Sequence, residues 1–428
     1  MKTSAETAPA STRQVFSQSI SLLWTRRFGT FWFATLLSNI GTWAQQVAQP
    51  WLLLSLGASP FLIGLDAFAL SAPVLLLTLV GGVLADRADR RRVIALFQSI
   101  QMLCPTLLVV LLLTGTVSPW LVIALSLIVG ITDALSMPSF QSIVPSIVER
   151  KQIGAGIALN STQFNLSRIL GPALAGMLIA GVGAVGCFAV SAASYLPFIA
   201  VALWILPRHS TKDRAADVAS WRHPFAGIGA MVKQPQLRGA LLTVFTVGTL
   251  CGPLVTFSPV IVRDALHGDA THFSLAMGAF GVGGLVGALA LLAVPAGKDL
   301  RKVSTWCASL CGLVVAATAL NPWLWALPVL LVLAGLTMNV ANTSANSFLQ
   351  AVADPLHRGR TVSLFMLSLR GGLALGSLVT GLTVVAFGVR YALLANGVLA
   401  LLVQWQIRRN WLSTPAPANA LLAQPPHL

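Results

Sequence analysis

Asp66, Asp133, Arg168 and Arg370 all fall inside long apolar runs of this 428-residue sequence. A charge in such surroundings is costly, so it marks a path for a substrate or a proton and calls for a partner. Asp133 and Arg168 stand on neighbouring runs at similar depth, which predicts a carboxylate–guanidinium pair or a shared network. A purely structural ion pair fits the same spacing. Asp66 lies about one turn inside its run and reads either as solvated or as a third proton-handling group. Arg370 has no carboxylate evident at its depth, leaving it to an anionic substrate or to backbone carbonyls. Asp133, Arg168 and Asp66 are therefore the proton-coupling candidates.

Amides surround these charges. In "SNIGTWAQQVAQPWLL" (38–53), a helical projection at about 100° per residue gathers Ser38, Asn39, Thr42, Trp43, Gln45, Gln46 and Gln49 on one arc. Leu36, Leu37, Ile40, Ala44 and Val47 take the other side. In lipid such a stripe must face protein or water. Helix–helix hydrogen bonding is the plain alternative, but the number of polar positions favours a cavity lining. Asn339, Thr343, Asn346 and Gln350 repeat the pattern at helical spacing, with Asn342 beside them. Asn160, Phe164 and Arg168 stack one turn apart, flanked by Ser161 and Asn165. Asp133, Ser136 and Gln141 form another polar face. The expected substrate cavity comprises Asn39, Trp43, Gln45, Gln46, Gln49, Asn160, Phe164, Asn165, Asn339, Asn342, Asn346 and Arg370.

The elements that carry these residues follow from composition. Hydrophobic residues make up 56% of the chain and charged ones 9%, against about a quarter charged in soluble proteins. This is the composition of a polytopic membrane protein. Apolar runs fall near 28–56, 61–84, 93–114, 120–143, 154–181 and 186–206. After a polar stretch, six more fall near 237–262, 273–294, 303–320, 323–350, 361–387 and 391–407. The expected organisation is a cytoplasmic tail (1–27), a six-helix half (28–206), a central cytoplasmic loop (207–236), a second six-helix half (237–411) and a cytoplasmic tail (412–428).

The net charge is +15, and 23 of the 27 Lys and Arg residues lie in one alternating set of loops. That places both termini and the central loop in the cytoplasm by the positive-inside rule, and makes the basic excess a topology signal with no nucleic-acid partner implied. The five cysteines all lie in apolar runs and read as buried thiols with no disulfide framework. The six histidines are scattered over loops and termini, so no catalytic constellation forms and no enzyme is expected. No phosphate-binding Gly-rich loop with Lys-Ser/Thr exists, which argues against direct ATP drive. "GVGGLVGA" (281–288) lies within a run, and its Gly283 and Gly287 read as helix packing.

The two sets of six runs match internally. Phe61 and Phe68 correspond to Phe273 and Phe280, Gly130 to Gly335, and Arg168 to Arg370, at offsets of 212, 205 and 202 residues. Two halves related by an axis along the membrane normal are the expected result. "GGVLADRADRRR" (81–92) resembles the loop signature of the major facilitator superfamily through Gly82, Asp86, Arg87, Arg90 and Arg91, with Asp89 where most members have Gly. "DRADRR", the polar run of residues 38–53 and "LNSTQFNLSRILGPALAG" (159–176) resemble the superfamily's branch of enterobactin and other siderophore exporters. "GPALAG" (171–176) is similar to the motif of drug/proton antiporters, although Ala175 replaces a closing glycine.

The resemblance implies an all-α membrane protein with 12 transmembrane helices in two pseudo-symmetric six-helix bundles, the major facilitator fold. It implies that Gly82, Asp86, Arg87, Asp89, Arg90 and Arg91 form a conformational-switch loop. The arginine that proton-coupled members carry early in the fourth span is missing from "LVIALSLIVG" (121–130), which gives Asp133 and Arg168 more weight. The expected function is export of a small organic molecule, a siderophore first, by proton antiport. Multidrug efflux is the alternative, with an uptake permease or a subunit of an ATP-driven system behind it. No cofactor or metal is expected; the partners are the substrate, protons and the lipid bilayer. The setting is the inner (plasma) membrane, and the functional unit is a monomer.

Overall fold

Within lipid no water is available to backbone groups, so each apolar segment must close its own hydrogen bonds, and helices result. The computed structural model describes residues 21–141, 143–149, 152–205, 234–292, 298–352 and 358–413. Helices α1 (Arg26–Ser55), α2 (Pro60–Arg87), α3 (Arg90–Thr114) and α4 (Pro119–Gln141) come first. The stretch Ile153–Trp204 breaks at Gly183, whose φ of 73° favours a residue without a Cβ. It therefore holds two helices, α5 (153–182) and α6 (184–204). α7 begins as Pro235–Thr246 and continues through the π-helical turns Val247–Cys251 and Ile261–Ala265. α8 (Ala270–Leu292), α9 (Leu300–Leu320), α10 (Leu327–Val352), α11 (Arg358–Phe387) and α12 (Val389–Leu412) follow. Each of the twelve apolar runs thus has its helix. Among the described residues, nine stretches pass as membrane spans by length and composition, one of them carrying both α5 and α6. α1 is not among them, because its amides dilute its hydropathy.

The helices form two like sets. α1 packs on the α5–α6 stretch, α2 on α4 and α3 on α6; α8 packs on α10 and α9 on α12. The sets meet where α2 crosses α11 and α5 crosses α8. Small residues allow these crossings: Gly381 approaches the backbone of Pro60 and Phe61, and Gly176 faces Ser274. Gly283 lies against Val332 of α10 in the same way, in keeping with its reading as a packing residue.

The core is arranged unevenly along the bundle. At the ends away from the basic loops, one apolar cluster runs through both halves, from Leu52 and Leu53 to Phe257, Val260 and Phe273. At the basic-loop ends there are two separate clusters. Phe28, Phe31 and Phe198 belong to one, and Leu241, Phe348 and Trp411 to the other.

Candidate functional site

α4 carries Asp133 beside α2, and α11 is drawn towards α2 because Gly371 allows Leu75 to approach. Arg370, the residue before that glycine, reaches Asp133 with Nη2 3.8 Å from Oδ2. Their side chains are 19% and 42% exposed, so the pair is not sealed inside the bundle. The carboxylate expected to pair with Arg168 pairs instead with Arg370 of the other half, and Arg370 does have a carboxylate at its depth. Helix periodicity gives a residue's depth and direction but not which half supplies the neighbour. Among the described residues, no carboxylate lies within ion-pair distance of Arg168. Its guanidinium lies 5.7 Å from the centre of the Trp43 ring, over its face, and close enough to Arg370 for the two charges to interact. Trp43 in turn meets Phe164 edge-on at 6.1 Å and packs on Gly171, where any Cβ would collide with it.

Asp66 is not solvated. It is 4% exposed and enclosed by three helices. Gln49 of α1 donates to Asp66 Oδ1 and Oδ2 at 2.9 and 2.8 Å, and Ser126 of α4 donates to Oδ1 at 2.6 Å. Gln45 Nε2 lies 3.5 Å from Gln49 Oε1, and Ser191 of α6 donates to Gln45 Oε1 at 2.8 Å. The polar arc of α1 therefore divides lengthwise. Ser38, Gln45 and Gln49 form a buried edge, and Thr42 on the same side bonds Tyr195 at 3.0 Å. Asn39, Gln46 and Trp43 form the other edge and remain partly exposed. Gln45 and Gln49 were expected in the cavity lining; they are turned instead towards α2, α4 and α6.

In the second half, Asn339 donates to the Gly284 carbonyl at 2.6 Å and accepts from Thr343 at 3.1 Å, tying α10 to α8. Asn346 accepts from Gln350 at 3.2 Å. Both polar atoms of Asn342, and Oδ1 of Asn160, are buried without a hydrogen-bond partner among the described residues. Of the loop signature, Asp89 caps α3 by accepting from the Arg91 backbone N–H, and the Arg91 side chain donates to Asp89 and to the Leu203 carbonyl. Both are thus engaged within one half. Arg90 is buried, with 7% exposure. The side chains of Asp86, Arg87 and Asn165, and the surroundings of Gly82, lie outside the described residues.

Partly exposed guanidinium and carboxylate groups meet here from the two halves, with the Arg168–Trp43 stack in the first, and such groups can hold a small polar organic molecule. Among the described residues, no cluster of His, Cys, Asp or Glu could hold a metal ion. The sequence pattern of transmembrane secretion effectors matches residues 17–420. The chain belongs to that family, a branch of the major facilitator superfamily. It is similar to the staphyloferrin A transporter of Staphylococcus aureus, at 27% identity over 84% of this chain and 90% of that one. It is also similar to the multidrug efflux pump Tap of Mycolicibacterium fortuitum, at 26% identity over 87% and 92%. The solved nucleoside transporter NupG shares its fold, with a TM-score of 0.71 over 90% of this chain at 14% identity. This secretion-effector relative is a multi-pass membrane transporter.

Two features of this family member escaped the sequence reading. The first is a duplicated clasp. Asp299 caps α9 and bonds Arg301, whose Nη1 reaches the Trp411 carbonyl at the end of α12. This repeats the Asp89–Arg91–Leu203 arrangement. Desolvation raises the Asp299 carboxyl, but its bonds from Arg301 outweigh that and leave it below its ordinary value. The signal was present as Asp-x-Arg in "DRRR" and "DLRK", 210 residues apart. The second is a closure between the halves at the ends away from the basic loops. Trp51 stacks on Phe273 at 5.0 Å, and Arg263 donates to the Leu54 carbonyl at 2.8 Å.

Proposed function

We propose that the protein exports a small organic molecule across the inner membrane, as a monomer, with protons entering in exchange. The observation that carries this reading is the Asp133–Arg370 pair. It joins the two halves at mid-depth, so binding in the cleft bears on how they sit together. With the basic loops in the cytoplasm, the shared core closes the outer side and the separate cores open the inner one. Such a molecule collects its substrate from the cytoplasm and releases it after the halves rock about the cleft. Residues 28–206 and 237–411 are the bodies that move.

A siderophore is the first substrate class, supported by the resemblance of residues 38–53 and 159–176 and by the staphyloferrin A transporter among the relatives. Multidrug efflux is the second, supported by the relative Tap. In this reading the exchanged proton rides on Asp66 rather than on Asp133, as their partners favour. Asp133 is already matched by Arg370, whereas Asp66 is held by the neutral Gln49 and Ser126.

Everted vesicles under an imposed pH gradient test the reading, with catecholate, hydroxamate and carboxylate siderophores compared against lipophilic cations. The expected result is pH-driven accumulation of one siderophore class, lost in Asp66→Asn and retained in Asp133→Asn. Preferential accumulation of the cations would establish the multidrug reading in its place. Gradient-independent flux would remove the antiport.

A further inference from the structure

Arg168 is a guanidinium at mid-depth with no carboxylate at ion-pair distance among the described residues, and its position has an energetic consequence. A charged residue at the centre of a span is costly. Stacking on one indole face returns only part of that cost. Water in an open cleft makes up the difference, but a cleft shut on both sides removes that water. Arg370 adds a second guanidinium from the equivalent place in the other half. Among the described residues a single carboxylate, Asp133, comes within ion-pair distance of either guanidinium, at a long 3.8 Å from Arg370. Three charged groups thus leave the cleft one positive charge in excess.

We infer that the transported molecule is an organic anion whose carboxylate is held between Arg168 and Arg370. This rests on the transport reading above and names its substrate class. Guanidinium binds carboxylate through two parallel N–H···O bonds, which Lys cannot reproduce. Trp43 is a positioning residue: its indole face, fixed by Gly171, holds the Arg168 guanidinium in place. Asp133 is the internal competitor. The substrate carboxylate takes its place on Arg370, so the halves exchange one anionic bridge for another. A bound anion neutralises the excess charge and makes the closed state accessible, so an empty cleft resists closure. Export of an anion is also driven by a negative-inside membrane potential.

The test uses the full-length purified protein with salicylate, its uncharged counterpart salicylamide, and tetraphenylphosphonium, with binding measured calorimetrically at one pH. Salicylate is expected to bind and the other two to bind at least about tenfold less tightly. Arg168→Gln and Arg370→Gln should weaken salicylate about tenfold to a hundredfold, as for loss of a charged hydrogen bond, and leave salicylamide unchanged. Asp133→Asn should tighten salicylate severalfold by removing the competitor. A role confined to an ion pair that holds the fold gives no such gain. Where a Gln variant fails to fold, Arg168→Lys or Arg370→Lys keeps the charge and should show an intermediate loss. Equal binding of salicylamide, unchanged affinity in the arginine variants, or weaker binding in Asp133→Asn would overturn the inference. Everted vesicles separate the two levels. Transport of tetraphenylphosphonium without salicylate leaves a transporter but no anion site; transport of neither above empty membranes removes both.

Discussion

Gln46 and Gln49 sit three residues apart on one polar stripe, yet they do different work. Gln49 is 6% exposed and bonds Asp66, while Gln46 remains partly exposed. Truncating Gln49 leaves a buried carboxylate short of donors, which costs about 1–3 kcal/mol. Gln49→Ala and Gln45→Ala are therefore expected to lower the thermal unfolding temperature of the purified protein. Asn39→Ala and Gln46→Ala should change substrate affinity at nearly constant unfolding temperature, and equal melting losses in all four would contradict the division. The stripe itself was legible in the sequence, because a polar arc in lipid must face inwards. Its division was not, since a projection of one helix does not reveal that Asp66 and Ser126 wait on one side and open space on the other. Asp133 shows the same limit: its depth was readable, but its partner lay on a helix more than two hundred residues away.

Among the elements, α1 and α7 decide how the closed side is held. Arg263 donates to the Leu54 carbonyl at the C-terminal end of α1, which accepts from the Gly57 N–H as well. A cation there also complements the helix dipole. The bond joins the two halves, so its loss acts on the balance between closed and open states. Arg263→Gln is expected to shift that ratio towards the open side by about tenfold, as for one charged hydrogen bond. Spin labels at Ser59 and Phe387, near the α2–α11 crossing, would report a growing long-distance population; an unchanged distribution would place the closure in the Trp51–Phe273 stack alone. The positions of the helices followed directly from the apolar runs, and even the α5–α6 break lay between the runs ending at 181 and beginning at 186. The closure was hidden because Arg263 resembled an ordinary topology residue on the sparse side of the charge count.

At the scale of the whole molecule, one shared core and two separate ones describe a body hinged on its shared side. The twofold design was readable from repeated Phe, Gly and Arg positions, but the residues that close each half were overlooked because their pattern is so short. Arg91 fastens the start of α3 to the end of α6, and Arg301 fastens the start of α9 to the end of α12. Each half therefore ties its last helix back to its own interior without help from the other. Such halves are self-sealing pieces. Genes for residues 1–206 and 234–428, expressed together, should yield two polypeptides that find each other in the membrane and copurify through a tag on either one. Their joint transport should approach that of the unbroken chain, with neither piece active alone. Arg91→Ala or Arg301→Ala should harm the divided protein more than the intact one, because each last helix then loses its clasp in a half that the chain no longer joins to the other.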